Sequence, residues 1–260
     1  MIYLRKSLDV LYFGILAVLV LAGCASAPEE RPATDEDRAF LASYLEKFKV
    51  EAFFNKASAE ESLFKEAVTG SARKILAKAG RLAEKTGEAE VLVEIDAVSE
   101  GESRGENHYG TASVRCTIVE PFTASRLELA ARAAPRTFSK ASQFDAAANA
   151  ATAALERMLP DAIEQARLFL VDLYSKGIVY GLEASNMGKD AASFRKKFAA
   201  KARDFKVVEE TREKAIYRFA FFGLPEDAGA ALKEAAAEAG IQGFTIQDHK
   251  GKLLRCNGGN

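Results

Sequence analysis

The sequence predicts an α+β protein built as two small α/β sandwiches, the second ferredoxin-like with the order β-α-β-β-α-β. Three observations predict it. Residues 91–97 and 109–119 alternate apolar and polar side chains, the period-two signature of half-buried strands. Residues 142–174 instead place Phe144, Ala147, Ala151, Leu155 and Met158 at helical spacing, which marks one apolar stripe. From residue 178 onward, short β-branched or aromatic runs interleave with two helix-length segments, the texture of a split βαβ unit. The chain has 260 residues, 48% of them apolar, which is enough to build a sizeable core in one large or two small units. The expected organisation is a leader over 1–23, a tether over 24–40, a first α+β domain over 41–175 and a second over 176–260.

The N-terminus has the form of an export signal. Arg5 and Lys6 precede an apolar run over residues 10–21, and the run ends in Leu21-Ala22-Gly23-Cys24. Twelve helical residues span ~18 Å, well short of the ~30 Å hydrocarbon core, so cleavage after export is expected rather than a permanent span. Leu21-Ala22-Gly23-Cys24 resembles the lipobox of bacterial lipoprotein precursors at all four positions. That resemblance implies cleavage before Cys24 and lipid, palmitate included, on its sulfur and amine. Two or more acyl chains, at about 0.8 kcal/mol per buried methylene, anchor stably where one chain binds only marginally. Ala25 and Ser26 follow the cysteine. By the sorting rule in which aspartate there retains lipoproteins at the inner membrane, they favour the outer membrane, with the body facing the periplasm. Residues 25–38, with Pro28, Pro32 and an acidic excess but no apolar periodicity, read as an extended tether.

The body follows in order. Residues 48–54 (FKVEAFF) read as a strand, and Ser58-Ala59-Glu60-Glu61 matches a capping box that opens a helix carrying Phe64, Val68, Ile75 and Ala79, with Gly70 weakening its middle. The two alternating runs should pair as a hairpin across a glycine-rich gap over 101–110. Pro160 is expected to kink or break the long helix. In the second half the expected elements are GIVYGLEA, a helix capped by Asp190, DFKVVEE, AIYRFAFFG, a helix over 226–239, and GFTIQD with a terminal GKLLRC. This order predicts two helices on one face of a four-stranded antiparallel sheet, a fold that constrains function hardly at all. Cys116 falls on the apolar side of its strand and reads as a buried hydrophobe, while Cys256 lies near a chain end that frays, so both are expected as free thiols.

These elements together, the hairpin EVLVEIDAVSEGESRGENHYGTASVRCTIVE, the alanine-rich helix after it and the IVYGLEA…FRKKF…IYRFAFFG unit, are similar to those of uncharacterised bacterial lipoproteins. Their body resembles the periplasmic domains of TolB (its N-terminal domain), the curli secretion lipoprotein, the Lpo activators of penicillin-binding proteins and the flagellar assembly protein FlgT. The resemblance spans residues 45–256, rests on element order rather than an invariant motif, and implies binding of protein or envelope partners without catalysis.

A search for chemistry returns little. The two histidines, His108 and His249, fall in the hairpin loop and near the C-terminus, with neither zinc-ligand spacing nor a serine–histidine–acid arrangement around them. Gly101, Gly105 and Gly110 miss the dinucleotide-binding spacing, and Met187-Gly188-Lys189-Asp190 lacks the first glycine of a phosphate loop, so both read as turns. Glu100, Glu102 and Glu106 offer oxygens to calcium but not the spacing of a calcium loop. No cofactor or metal is expected. The formal net charge of −1 becomes −2 once Arg5, Lys6 and Asp9 leave with the leader, so no overall field draws the chain to nucleic acid.

The candidate surface is basic. Residues 189–206 hold seven basic against two acidic side chains, and Arg195, Lys196, Lys197, Lys201 and Arg203 are the residues that would meet an anionic partner. Phe194 and Phe198, four apart, would bury the other face, which is also what an ordinary solvated amphipathic helix does. The expectation is a lipid-anchored, non-enzymatic interaction or scaffold module of the cell envelope, tethered through Cys24 and bound to an envelope protein. The alternative is a periplasmic binding protein that holds a small ligand or peptidoglycan fragment in a cleft between its two units.

Overall fold

The computed structural model describes residues 32–55, 60–85, 88–211 and 213–259, and residues 33–260 form one compact unit. Cys24, Ser58 and the leader lie outside the described residues. The architecture is α+β, with two mixed sheets packed against helices.

The described residues open on a helix that takes in the last part of the expected tether. Helix α1 (Asp35–Leu45) starts because Thr34 Oγ1 accepts from the Asp37 amide at 3.1 Å while Asp37 Oδ2 accepts from the Thr34 amide at 2.9 Å. Asp35, Glu36 and Asp37 in the first turn suit the positive end of the helix dipole, and Leu41 and Leu45 bury its inner face. Acidic composition thus suggested an extended tether where the same residues cap and start a helix.

Strand β1 (Val50–Phe54) crosses through helix α2 (Ser62–Lys78) to strand β2 (Val91–Arg104) and pairs parallel with it, Val50 opposite Val91. Helix α2 opens at Glu61 without a side-chain cap, and the expected capping box rests on Ser58, outside the described residues. The Glu60 carboxylate accepts from the Ser99 amide at 2.8 Å and the Ser99 hydroxyl at 3.1 Å. The expected hairpin is present and longer than the alternation showed. Strand β3 (Asn107–Glu120) pairs antiparallel with β2 from Leu92–Val119 down to Arg104–Asn107, around the two-residue turn Gly105-Glu106. The glycine-rich gap is therefore strand. At Gly110 a side chain is excluded by packing, because a Cβ there would lie 2.2 Å from the backbone nitrogen of Ala147.

That close approach belongs to helix α3 (Gln143–Leu173), which lies across β2 and β3. Its buried stripe is mostly alanine, Ala146, Ala147, Ala150, Ala151 and Ala154, which lets the backbones approach closely before Leu155, Met158 and Leu159 fill the wider space. Pro160 neither breaks nor ends it: the 31-residue helix runs through, with Pro160 on the exposed side. Leu159, Ala162, Ala166 and Leu170, all buried, fix the axis beyond the proline. Three short strands that carry no clear pattern, β4 (Ser125–Glu128), β5 (Arg132–Ala133) and β6 (Thr137–Ser139), pair with the outer edge of β3. Helices cover one face of this sheet. The other carries Phe53, Leu92, Val98 and Val119 among charged neighbours.

The second sheet has the order β10-β11-β7-β9-β8. Strand β7 (Ile178–Ser185), helix α4 (Ala191–Ala199), strands β8 (Arg203–Glu210) and β9 (Lys214–Phe221) and helix α5 (Pro225–Glu238) follow the expected βαββα order. The end of the chain differs from a four-stranded antiparallel arrangement. Strand β10 (Thr245–Lys250) forms the edge, and β11 (Leu253–Asn257) turns back between it and β7, parallel to β7. The reason is burial: Leu254 and Cys256 alternate onto the core side, and β10 offers less apolar surface. Cys256 is therefore a core residue rather than part of a fraying end. Both Cys116 and Cys256 are buried free thiols, and burial pushes each pKa up to about 12.

Candidate functional site

The two sheets share one core, and polar groups concentrate at their junction. Strand β3 ends in Ile118-Val119-Glu120 before Pro121, and its alternation turns Glu120 to the helix-covered side with Cys116 and Ile118. Glu120 is fully buried, which is costly for a carboxylate unless every lone pair is met. Both oxygens are met. Oε1 accepts from Lys252 Nζ at 2.7 Å and from the Tyr174 hydroxyl at 3.2 Å, and Oε2 accepts from the amide and hydroxyl of Thr123, each at 2.6 Å.

Lys252 comes from the β10–β11 turn and Tyr174 from the end of α3, so this knot ties three distant elements. The ammonium also donates to the Tyr174 hydroxyl and sits 4.6 Å from the centre of that ring. Burial drives the Glu120 carboxyl upward, but the Lys252 ammonium and the Thr123 donors outweigh it and hold it below the usual carboxylate range. Burial lowers the Lys252 ammonium below an ordinary lysine, with Glu120 opposing. Burial first, then Glu120, raises the Tyr174 hydroxyl, which stays a neutral donor. These bonds tie the end of β3 to the end of α3 and to the β10–β11 turn and so hold the junction.

Outside the knot lies a half-open cleft of about 310 Å³. Thr123 and Ser125 of the β3–β4 turn form one wall, Leu173 and Val179 the floor, and Lys206 and Arg218 the other wall. The turn is seated by Phe122, whose ring reaches β7. A Cβ at Gly181 would come within 2.8 Å of that ring and 3.0 Å of the Leu253 side chain, so a side chain there would displace both. On the far wall β8 is bulged. Arg203 opposes Ala220 but Lys206 opposes Arg218, so two residues of β8 face one of β9. The bulge aligns Lys206 with Arg218. Lys206 pairs with Asp204 at 2.9 Å, whereas Arg218 has no carboxylate partner among the described residues. A second hollow of about 260 Å³, between the β4–β5 loop and α3, is bordered by the Arg132–Asp161 ion pair at 2.6 Å.

No family model matches the chain, and no curated protein sequence matches it. Two solved structures are distantly similar. One is a candidate lipoprotein from Caulobacter crescentus, 14% identical, with 53% of this chain and 94% of that chain covered at a TM-score of 0.27. The other is a hypothetical protein from Chlamydia trachomatis, 12% identical, with 49% and 98% covered at a TM-score of 0.20. Neither likeness carries an argument about activity.

The basic residues picked out from sequence do come together on α4 and the start of β8, with Phe194 and Phe198 fully buried beneath them. Most of their charge is already answered. Arg195 pairs with Glu210 at 2.6 Å, Lys201 with Glu238 at 2.8 Å and Glu234 at 3.1 Å, and Lys197 approaches Glu238 at 3.8 Å. Arg203 reaches Asp37 of α1 at 2.7 Å and lies 4.8 Å over the Phe222 ring. Lys196 alone of the five is exposed with no ion pair among the described residues. Of the other candidates, His108 sits by the hairpin tip with Nδ1 2.7 Å from the Ser103 hydroxyl. Glu102 is taken by Arg104 at 2.6 Å and by Arg136. No group of three metal-ligating side chains forms among the described residues. Sequence reasoning missed Glu120, Lys252 and Arg218. Only the apolar run before Glu120 hinted that an acid there would be buried.

Proposed function

We propose that the protein is a lipid-anchored, periplasm-facing module of the cell envelope, held at the outer membrane through Cys24, that binds an envelope protein and performs no catalysis. The observation that carries this reading is Leu21-Ala22-Gly23-Cys24 at the end of a charged and then apolar leader. No helix among the described residues is long and apolar enough to cross a membrane. The partner surface we assign is the uncovered face of the first sheet. Phe53, Leu92 and Val119 are half-exposed there and Val98 is 65% exposed, apolar groups set among charges in the manner of an interaction face.

Metabolic labelling with palmitate tests the anchor. Wild type should carry label and fractionate with membranes, and Cys24→Ala should lose both. A Cys24→Ala protein that stays labelled and membrane-bound overturns the reading.

A further inference from the structure

We propose that the cleft between the β3–β4 turn, the end of α3 and the β8–β9 pair binds a small oxyanion, a carboxylate or phosphate carried on a short aliphatic chain, with Arg218 receiving its charge. This inference deepens the small-ligand alternative and does not depend on lipid at Cys24. Lys206 and Arg218 stand directly opposite each other across β8 and β9. Like charges in that relation destabilise a sheet unless an anion lies between them. Asp204 answers Lys206 at 2.9 Å, and nothing among the described residues answers Arg218, in contrast to Arg203, which shares its face of the sheet and reaches Asp37. The guanidinium therefore keeps its planar set of donors for a ligand, a set that matches two oxygens of a carboxylate or phosphate.

The opposite wall supplies a second donor. The Thr123 hydroxyl has one proton, and Glu120 accepts it at 2.6 Å. The 2.9 Å contact between Thr123 and Ser125 therefore uses the Ser125 proton, and that hydroxyl turns to a ligand in the cleft by giving up the bond to Thr123. Leu173 and Val179 give the floor an apolar surface for the aliphatic part, and about 310 Å³ is at the small end for ligand sites. The backbone is unusual here as well. Three non-glycine residues among those described have positive φ, and two of them border this cleft: Ala124 at +57° in the turn and Asp204 at +44° in the bulge.

The test titrates isotope-labelled full-length chain in non-ionic detergent with N-acetyl-alanyl-alanine, ethyl phosphate and, as the uncharged control, N-acetyl-alanyl-alaninamide. The Arg218 Nε–H and Ser125 amide resonances report binding. One or both anions should saturate in the millimolar range and the amide should not, and Arg218→Gln should weaken binding about tenfold or more. Ser125→Ala should weaken it by a smaller factor, and Lys196→Gln, which lies outside the cleft, should leave it unchanged. A response to the carboxylate alone or the phosphate alone identifies the source of the anion. Failure of both anions to saturate by about 20 mM overturns the proposal. Equal affinity in a normally melting Arg218→Gln protein also overturns it, and if that variant melts low, equal affinity in Ser125→Ala does so.

Discussion

Lys252 and Arg218 flank the same turn, β3–β4, and face opposite fates. The Lys252 side chain is 13% exposed, and its ammonium donates to the Glu120 carboxylate and the Tyr174 hydroxyl. Arg218 is exposed beside another cation with its charge unanswered. The difference separates two uses of charge. A saturated, buried ion pair fixes how elements meet, because removing either member strands the other in a low dielectric. An unsaturated cation at the rim of a cleft costs little to keep and remains available to a ligand.

The largest effect that would break this comparison is at the knot. Lys252→Ala leaves Glu120 buried without its cation and should cost ~3–5 kcal/mol in chemical unfolding. Replacing both partners, Glu120→Leu with Lys252→Met, should cost less than Lys252→Ala alone, because no charge is then stranded. If the double variant is as unstable as the sum of its singles, the knot is not a coupled pair.

Acid sharpens the same point. The folded Glu120 carboxyl is held below its ordinary value. Its stabilisation is therefore complete above the unfolded value, about pH 4.3, and is lost as pH falls through the lower folded value. Melting temperatures measured from neutral pH down to pH 3 should show an acid limb that Glu120→Gln flattens. A limb of equal depth in that variant would assign acid lability to other carboxylates.

The smallest effect belongs to α4. Replacing Lys196, Lys197 and Lys201 together with Gln should move the melting midpoint slightly, through the pairs with Glu234 and Glu238, and raising salt should shrink even that difference. A large drop would show that the basic helix, not the knot, joins the second sheet to its helices.

Much of the fold was legible along the chain. The alternation of residues 91–97 and 109–119 located β2 and β3 and put Cys116 in the core, and spacing placed Phe194 and Phe198 beneath α4. Local patterns serve because burial on one face imposes a period that is visible within a few residues. They misled where two local readings compete. The acidic stretch before Phe40 read as solvated chain until the reciprocal bonds of Thr34 and Asp37 made it a helix start. Pro160 read as a kink or a break, and the helix runs unbroken through it from Gln143 to Leu173.

By itself the sequence determined the α+β class, the main hairpin and the alanine-rich helix, all features whose causes lie within one segment. Only the tertiary structure decided that Glu120 meets Tyr174 and Lys252, 54 and 132 residues further along. It also decided that β11 rather than β10 sits beside β7, and that Arg218 meets no acid partner among the described residues while Arg203 on the same face meets Asp37. The physical reason is one of range. A side chain's preference for helix, strand or burial is set by its own neighbours in the chain, whereas the partner of a charge is whatever folding carries within about 4 Å of it.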